Sequence, residues 1–141
     1  REILDAHSIY AVKAAYVSER AYYNRSILQI GAKHQEDDLL QGLEVILNSV
    51  VGSFVFLTQG RKSARRIFPK LVLGDLKDFP VPRALRQGQE QWRELKRLGG
   101  MSNDRKNRPE IDALAARLYG LSSQELEQVR WETTGLRGGL I

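Results

Sequence analysis

The stretch that decides the fold is residues 36–59, EDDLLQGLEVILNSVVGSFVFLTQ. Its apolar side chains recur at steps of three and four residues, which predicts an α-helix. Further apolar residues cover the other side, and a helix that is apolar nearly all round is buried in protein or in a membrane. Five polar residues interrupt the run, namely Gln41, Glu44, Asn48, Ser49 and Ser53. A membrane span needs roughly 18 apolar residues without such interruptions, so we expect a central helix buried in protein and no membrane partner.

The chain before this helix is rich in residues that favour strands. Ala14–Val17 and Ser26–Ile30 predict two short strands. After the helix, Gly60 is a stop signal, and Leu71–Leu73 predicts a strand or the entry to a turn. One helical turn is expected at Gly74–Asp78, and the prolines of Phe79–Pro82 require an extended backbone there.

The C-terminal part carries helix signals. Arg83–Leu98 predicts one helix, and Asn107–Glu110 opens the next, with Pro109 suited to its first position and Gly120 closing it. Ser122–Glu125 is a capping box for the last helix, and Gly135–Ile141 is expected to be a frayed tail. The predicted fold class is therefore α+β and mostly helical, with short N-terminal strands, a central buried helix and a C-terminal helical segment. A length of 141 residues fits a single domain, 1–141, with an α/β part over 1–82 and a helical part over 83–141.

The composition limits the chemistry. The absence of cysteine excludes disulfides and thiolate catalysis, and it agrees with a cytoplasmic location. The only methionine is Met101 and the sequence starts at Arg1, so we expect a segment of a longer polypeptide. The two histidines, His7 and His34, have no partner at metal-ligand spacing, so no metal site is expected.

Positive charge is concentrated in one region. Between Arg61 and Arg108 there are 14 Lys or Arg and 5 Asp or Glu, whereas the rest of the chain has more acids than bases. The cluster over 61–70 holds Arg61, Lys62, Arg65, Arg66 and Lys70 without an acid. Lysine and arginine that displace counterions from phosphates supply most of the affinity for DNA, so this cluster is the first candidate interface. The alternative interpretation is a solvated basic loop.

A second candidate strip lies on the predicted helix that follows. It comprises Arg83, Arg86, Arg93, Lys96 and Arg97. Its alternative interpretation is an outer helix face balanced by Glu90 and Glu94. The predicted DNA-binding residues are accordingly Arg61, Lys62, Arg65, Arg66, Lys70, Arg83 and Arg86.

Other residues are less specific. Asp78 with Glu94-Leu95-Lys96 is similar to a nuclease metal site, but Glu94 and Lys96 fall on a predicted exposed helix. Asn48 and Ser49 are expected to be structural, bonding to the backbone of a preceding turn or a neighbouring loop. The tryptophans, Trp92 and Trp131, are expected to anchor the core, whereas Tyr22 and Tyr23 lie where they could face nucleic acid.

Three segments taken in order point to a family. They are Ile46-Leu47-Asn48-Ser49, then residues 73–82, LGDLKDFPVP, and finally residues 109–122, PEIDALAARLYGLS. Together they resemble the C-terminal target-recognition region of N-6 adenine DNA methyltransferases of the TaqI-like and type IIG restriction-modification kind and of related phage-defence enzymes. Type I specificity subunits share a similar helix and turn, so they remain an alternative.

The resemblance implies a parent enzyme that binds S-adenosylmethionine and flips an adenine out of double-stranded DNA. The family's catalytic motif, Asn or Asp followed by Pro-Pro and an aromatic residue, is absent from this sequence, as is its glycine-rich cofactor loop. We therefore expect no catalytic residue and no cofactor in this segment, an upstream methyltransferase domain as partner, and a role in choosing the DNA site. The alternatives are a protein-interaction module that docks through the helix over 83–98, and an independent small nuclease.

Overall fold

The computed structural model describes residues 8–24, 27–31, 37–60, 71–87, 92–99 and 104–138. These residues form α1 (Asp37–Asn48), α2 (Val50–Gln59), α3 (Leu73–Lys77), α4 (Arg83–Gln87), α5 (Trp92–Gly99), α6 (Arg108–Leu118) and α7 (Ser123–Gly138), with a 3-10 turn at Arg105–Asn107. Within these ranges there is no strand. The described chain is therefore all-helical, and the predicted α+β class is wrong.

The predicted N-terminal strands lack the neighbours that a strand needs. Residues 14–17, and residues 27–30 of the second prediction, belong neither to a helix nor to a strand. A strand is stabilised by backbone hydrogen bonds to an adjacent strand, and the part of the chain that the structure describes offers helices instead. Of the two alternatives for Leu71–Leu73, the strand is wrong, because Leu73 begins α3. These side chains do have strand propensity, but tertiary context overrides it.

The long central helix is divided at Ser49 into α1 and α2, which meet at a bend of 74°. The Ser49 hydroxyl donates to the carbonyl of Ile46 at 2.6 Å and accepts the amide of Gly52 at 3.0 Å, so one side chain serves the end of α1 and caps the start of α2. Gly52 permits the tight crossing, because a Cβ there would lie 2.3 Å from the Ile46 carbonyl oxygen. In the described ranges no single helix is long and apolar enough to cross a membrane, and α1 and α2 meet those criteria only as this bent pair.

The helix predicted over 83–98 is also two helices, α4 and α5, and residues 88–91 between them lie outside the described ranges. Both turn leucines inward: Leu85 of α4 and Leu95 and Leu98 of α5 are buried. Gly42 of α1 lies against this surface, since a Cβ on it would come within 2.3 Å of the Leu85 Cδ1. The apolar side of this region is therefore already covered by α1.

The C-terminal helices follow the sequence signals closely. Pro109 lies in the first turn of α6, and Gly120 after it has a φ of +72°, in the left-handed region that favours glycine. Ser122 and Glu125 form the predicted capping box: the Ser122 amide donates to the Glu125 carboxylate at 2.7 Å, and the Glu125 amide donates to the Ser122 hydroxyl at 3.2 Å. Helix α7 continues to Gly138, so the tail predicted from Gly135 is wrong over residues 135–138.

The core consists of two clusters that meet at the α1–α2 bend. The larger one is built on the second half of α1 and includes Val45, Ile46, Leu95, Ile111 and Leu114. The smaller one joins Val50 and Val51 of α2 to Ala115, Ala116 and Leu126 of α6 and α7. Burial of the central helical region, predicted over 36–59, is thus confirmed for residues 44–57, most of which are buried, with helices on both sides of the bend.

Candidate nucleic-acid interface and the buried polar network

The first candidate cluster, Arg61, Lys62, Arg65, Arg66 and Lys70, lies outside the described residues. The structure does describe both points at which the segment 61–70 is attached. The Gly60 amide donates to the Phe56 carbonyl at 2.9 Å and ends α2, and Leu71 is buried in the larger core cluster. Phe56 also stacks on Phe79, with ring centroids 4.9 Å apart. The residues that flank the segment therefore belong to packed parts of the fold.

Two of the five cations in the second candidate strip are paired with acids. Lys96 Nζ lies 2.8 Å from Asp38 Oδ1 on α1, and a guanidinium nitrogen of Arg97 lies 2.7 Å from Glu110 Oε2 on α6. Exposed ion pairs of this kind contribute little to stability, but they cancel charge at the surface. The alternative interpretation, a balanced outer face, holds for these two cations. The acids that form their ion pairs are Asp38 and Glu110, whereas Glu94 pairs with Arg117 and Glu90 lies outside the described residues.

The remaining cations of the strip differ. Arg83 and Arg93 are exposed, and neither forms an ion pair with another described residue. Arg86 belongs to α4, but its side chain lies outside what the structure describes. Arg83 is thus the one predicted DNA-binding residue whose side chain the structure places, and it is open to solvent.

The nuclease-like residues have other partners. Glu94 accepts a hydrogen bond from Arg117 at 2.6 Å, and Lys96 is engaged by Asp38. Within the described ranges no cluster of three histidine or acidic side chains is arranged to hold a metal ion. Because these contacts direct Glu94 and Lys96 to separate neighbours, the geometry gives the nuclease hypothesis no support.

A buried polar network that the sequence did not reveal is centred on Asp112 of α6, whose exposed fraction is 0%. One carboxylate oxygen accepts the Val50 amide at 2.8 Å, and the other accepts the Tyr10 hydroxyl at 2.8 Å and an Arg130 guanidinium nitrogen at 3.2 Å. Burial raises the pKa of Asp112, and the three donors oppose that change. Burial and the neighbouring carboxylate also raise the pKa of Tyr10, which keeps its proton available to Asp112.

The same network fixes the α1–α2 bend. The carboxylate of Asp112 takes the first amide of α2, where it also meets the positive end of that helix's dipole. Arg108 donates to the carbonyl of Asn48 at 2.5 Å, and its guanidinium carbon lies 4.2 Å from the centroid of the Tyr10 ring. Two residues of α6 therefore hold the end of α1 and the start of α2. In the sequence, the sign of this network was that Arg108 and Asp112 lie next to the apolar face of the helix predicted from Asn107.

The N-terminal residues 8–14, which we call the strap, are held to the helices by side chains. Asn48 accepts the Ala14 amide at 3.0 Å and donates to the Ala14 carbonyl at 2.9 Å, as a neighbouring strand would. Ser53 accepts the Ala11 amide at 2.9 Å, and Arg137 Nε donates to the Ser8 carbonyl at 3.0 Å. The structural role predicted for Asn48 and Ser49 is confirmed. All of these groups serve to position the backbone, and none of these contacts forms a catalytic constellation.

Other aromatic residues are placed unexpectedly. Trp131 on α7 is 74% exposed, so the prediction that it anchors the core is wrong, and the side chain of Trp92 lies outside the described part. Tyr22 is 97% exposed, and Tyr23 is about half exposed. An apolar groove of about 410 Å³ is lined by residues 29–31, by Leu43 and Leu47 of α1, by Leu73, Leu76 and Lys77 of α3, and by Phe79 and Val81.

Comparison of the chain with protein-family models, with curated proteins and with solved structures gave no match. The function of this chain therefore has to be inferred from its own residues, through their geometry and their charge.

Proposed function

We propose that this chain is a DNA-binding target-recognition segment of a larger N-6 adenine DNA methyltransferase that belongs to a restriction-modification or phage-defence system. The observation that carries the proposal is the charge of the segment 61–70. It holds five cations and no acid, while the other residues hold 17 cations and 17 acids. The whole net charge of +5 is thus equal to that of this single segment.

The structure supports this concentration of charge in two ways. Four cations elsewhere, Lys96, Arg97, Arg117 and Arg130, contact carboxylates and are partly neutralised by them. The residues that flank the segment 61–70 belong to the packed fold, since Gly60 ends α2 and Leu71 is buried. A run of five cations without an acid is suited to the phosphates of duplex DNA, and Arg83 adds an exposed cation after it.

The parent enzyme follows from the sequence resemblance. In this proposal S-adenosylmethionine and the methyl-transfer residues belong to an upstream domain, which is also the protein partner of this chain, and the assembly works in the cytoplasm. This chain contributes affinity for double-stranded DNA and a choice of site. Arginine with its paired donors can read guanine in the major groove, which gives the basic residues a route from affinity to sequence selection.

The test is a pair of charge-matched variants. One replaces Arg61, Lys62 and Arg65 by glutamine, and the control replaces Lys96, Arg97 and Arg117 by glutamine. Both lower the net charge by three, so only the location of the lost charge differs. Binding to a short duplex is measured by fluorescence anisotropy over a series of salt concentrations. Each phosphate contact contributes about 0.9 to the slope of log affinity against log salt, so the first variant loses up to about 2.7 and the control much less.

Two results would contradict the proposal. If the first variant binds with the affinity and salt slope of the wild type, the segment 61–70 does not contact DNA. If both variants lose affinity equally, binding reports net charge alone and not an interface.

A second candidate function is a protein-interaction module, favoured by the apolar groove and by the exposed side chains of Val17, Ile27 and Ile30. The contact predicted on the helix over 83–98 is less suited, because its leucines are buried against α1. If this alternative holds, isothermal titration calorimetry should show that the upstream methyltransferase domain binds this chain. The heat of binding should be lost in Leu73→Asp, which changes a residue that lines the groove. The isolated chain should have no affinity for DNA.

A further inference from the structure

Trp131 stands out on α7, because its side chain is 74% exposed on a helix that is packed on its other side. Leu126, Thr133 and Arg137 of α7 are buried, and Leu126 belongs to the smaller core cluster together with residues of α2 and α6. The helix is therefore fixed in place, and it presents the tryptophan ring to solvent. Single exposed apolar residues are common in proteins, so the surroundings of the ring decide what it indicates.

The side of α7 that carries Trp131 has no charged residue on it. Residues three, four or seven positions from Trp131 share its side of the helix. All of them are exposed, and together with the tryptophan they form what we call the Trp131 face: Gln124, Gln128, Trp131, Gly135 and Gly138. An aromatic residue on an uncharged face is typical of the centre of a protein interface, where charged residues are depleted.

The acids at the edges of the Trp131 face are engaged within α7. Glu127 lies 2.7 Å from a guanidinium nitrogen of Arg130. Glu132 accepts a hydrogen bond from the side-chain amide of Gln128 at 2.7 Å. These contacts partly neutralise one acid and direct the other along the helix, so the centre of the face stays uncharged.

Gly135 leaves a hollow beside the ring, about one helical turn further along α7. A Cβ at this position would meet nothing within 4 Å, so packing inside the chain does not require a glycine here. Glycine also weakens a helix relative to alanine, because it loses more backbone entropy on folding. The missing side chain does leave room for a large side chain from a second molecule.

The ring and the hollow match each other under two-fold symmetry. When two copies of α7 lie antiparallel, with the two-fold axis at position 133, Trp131 of each copy lies opposite the partner's Gly135. The same axis places Gln128 opposite the partner's Gly138, so each large side chain meets a glycine around one centre. A contact of this kind uses the same patch on both copies, as two-fold dimers do.

Charge also favours a second copy as the partner at this face. Each copy carries a net charge of +5, and surfaces of like charge that are brought together repel one another. Two copies therefore meet most easily at an uncharged surface, which the Trp131 face provides.

We propose that this chain forms a two-fold symmetric dimer through the Trp131 face, with the α7 helices antiparallel and each Trp131 ring seated on the partner's Gly135. The proposal is independent of the DNA-binding function, and its tests use no DNA.

Sedimentation equilibrium of the full chain over a range of concentrations measures the dissociation constant of the dimer. Trp131→Ala should raise this constant about 30-fold or more, as expected for an aromatic residue at the centre of an interface. Tyr22→Ala is the matched control, because it removes a side chain that is 97% exposed and lies outside α7. Its dissociation constant should equal that of the wild type.

Gly135→Gln separates the loss of the dimer from a loss of the fold. The new side chain fills the hollow, so the dimer should be lost. Glutamine also favours a helix more than glycine does, so the variant should unfold at a higher temperature than the wild type in dilute solution, where both are monomers.

Cysteine variants test the antiparallel register, since the sequence has no cysteine of its own. A disulfide forms only when the two Cα atoms lie within about 7 Å. Gln128→Cys mixed with Gly138→Cys should therefore give a covalent heterodimer on mild oxidation. Either variant alone should cross-link poorly, because its two cysteines would lie about 15 Å apart along the paired helices.

Three results would overturn the proposal. The first is a wild type that sediments as a monomer of 16.0 kDa at every concentration up to about 1 mM. The second is a dimer whose dissociation constant is unchanged in Trp131→Ala, because its interface would then lie elsewhere. The third is Gln128→Cys alone cross-linking as readily as the mixed pair, which would exclude the antiparallel register.

Discussion

Replacing Asp112 by alanine would remove the acceptor that joins α6, α2, α7 and the strap. The Val50 amide would be buried without a partner, which costs about 1–3 kcal/mol. Breaking a buried ion pair costs about 3–5 kcal/mol when the remaining charge stays dry. The Arg130 side chain is 31% exposed, so water would solvate part of its charge. We therefore expect the total loss in unfolding free energy to lie near the lower limit, about 3 kcal/mol.

That loss is a large part of the roughly 5–15 kcal/mol that stabilises a domain. With a urea dependence near 2 kcal/mol per molar, the midpoint of urea unfolding followed by circular dichroism should fall by about 1.5 M. Asp112→Asn keeps an acceptor for Val50 and should give a smaller fall. Glu110→Ala is the control, because it removes an exposed acid from the same helix, and its midpoint should stay close to that of the wild type. A midpoint for Asp112→Ala equal to that of the control would refute the proposed role of the network.

Two further predictions concern the helices. Gly52→Ala should destabilise the fold by about 3 kcal/mol, because the new Cβ would meet a backbone carbonyl of α1. Gly135→Ala should stabilise the fold by up to about 1 kcal/mol, because a Cβ there meets nothing within 4 Å. Equal unfolding midpoints for the two variants would contradict this prediction. The pKa of Glu125 is lowered by hydrogen bonds from the backbone and hydroxyl of Ser122. Because the pKa of Glu125 is lower in the folded chain than in the unfolded chain, its ionised side chain stabilises the fold fully at pH values above the unfolded pKa. This stabilisation is lost as the pH falls through the folded pKa. The stability difference between the wild type and Glu125→Gln should therefore be constant near neutral pH and vanish in acid, and a difference that persists in acid would argue against the capping role.

Local signals in the sequence predicted the start of α6, its end and the start of α7 well. Pro109, Gly120 and the Ser122–Glu125 capping box each act within a few residues, and the structure has all three where expected. The structural role of Asn48 was also predicted, because an amide on an apolar helix needs a backbone partner. Its partner, Ala14, lies 34 residues away in sequence and could not be identified from the pattern.

Where the prediction failed, the decisive contact is distant in sequence. The periodicity of residues 36–59 is continuous through Ser49, and the bend there depends on Arg108 and Asp112, about 60 residues later. The N-terminal residues have strand propensity, but the described part of the chain gives them helices as neighbours. The candidate interface was predicted from charge alone. The structure shows which cations of the second strip are paired with acids, and the spacing of these cations along the sequence could not reveal this pairing. Asp112 itself was missed because one acid beside an apolar face looks like a solvated residue.

The hydrogen bond from Arg137 to the Ser8 carbonyl joins residues 129 positions apart, at opposite ends of the described chain. The two ends of the described residues therefore lie close together. A unit with that property can be inserted into a loop of a host domain without pulling the host apart, and it tolerates circular permutation when its ends are linked and new ones are opened elsewhere.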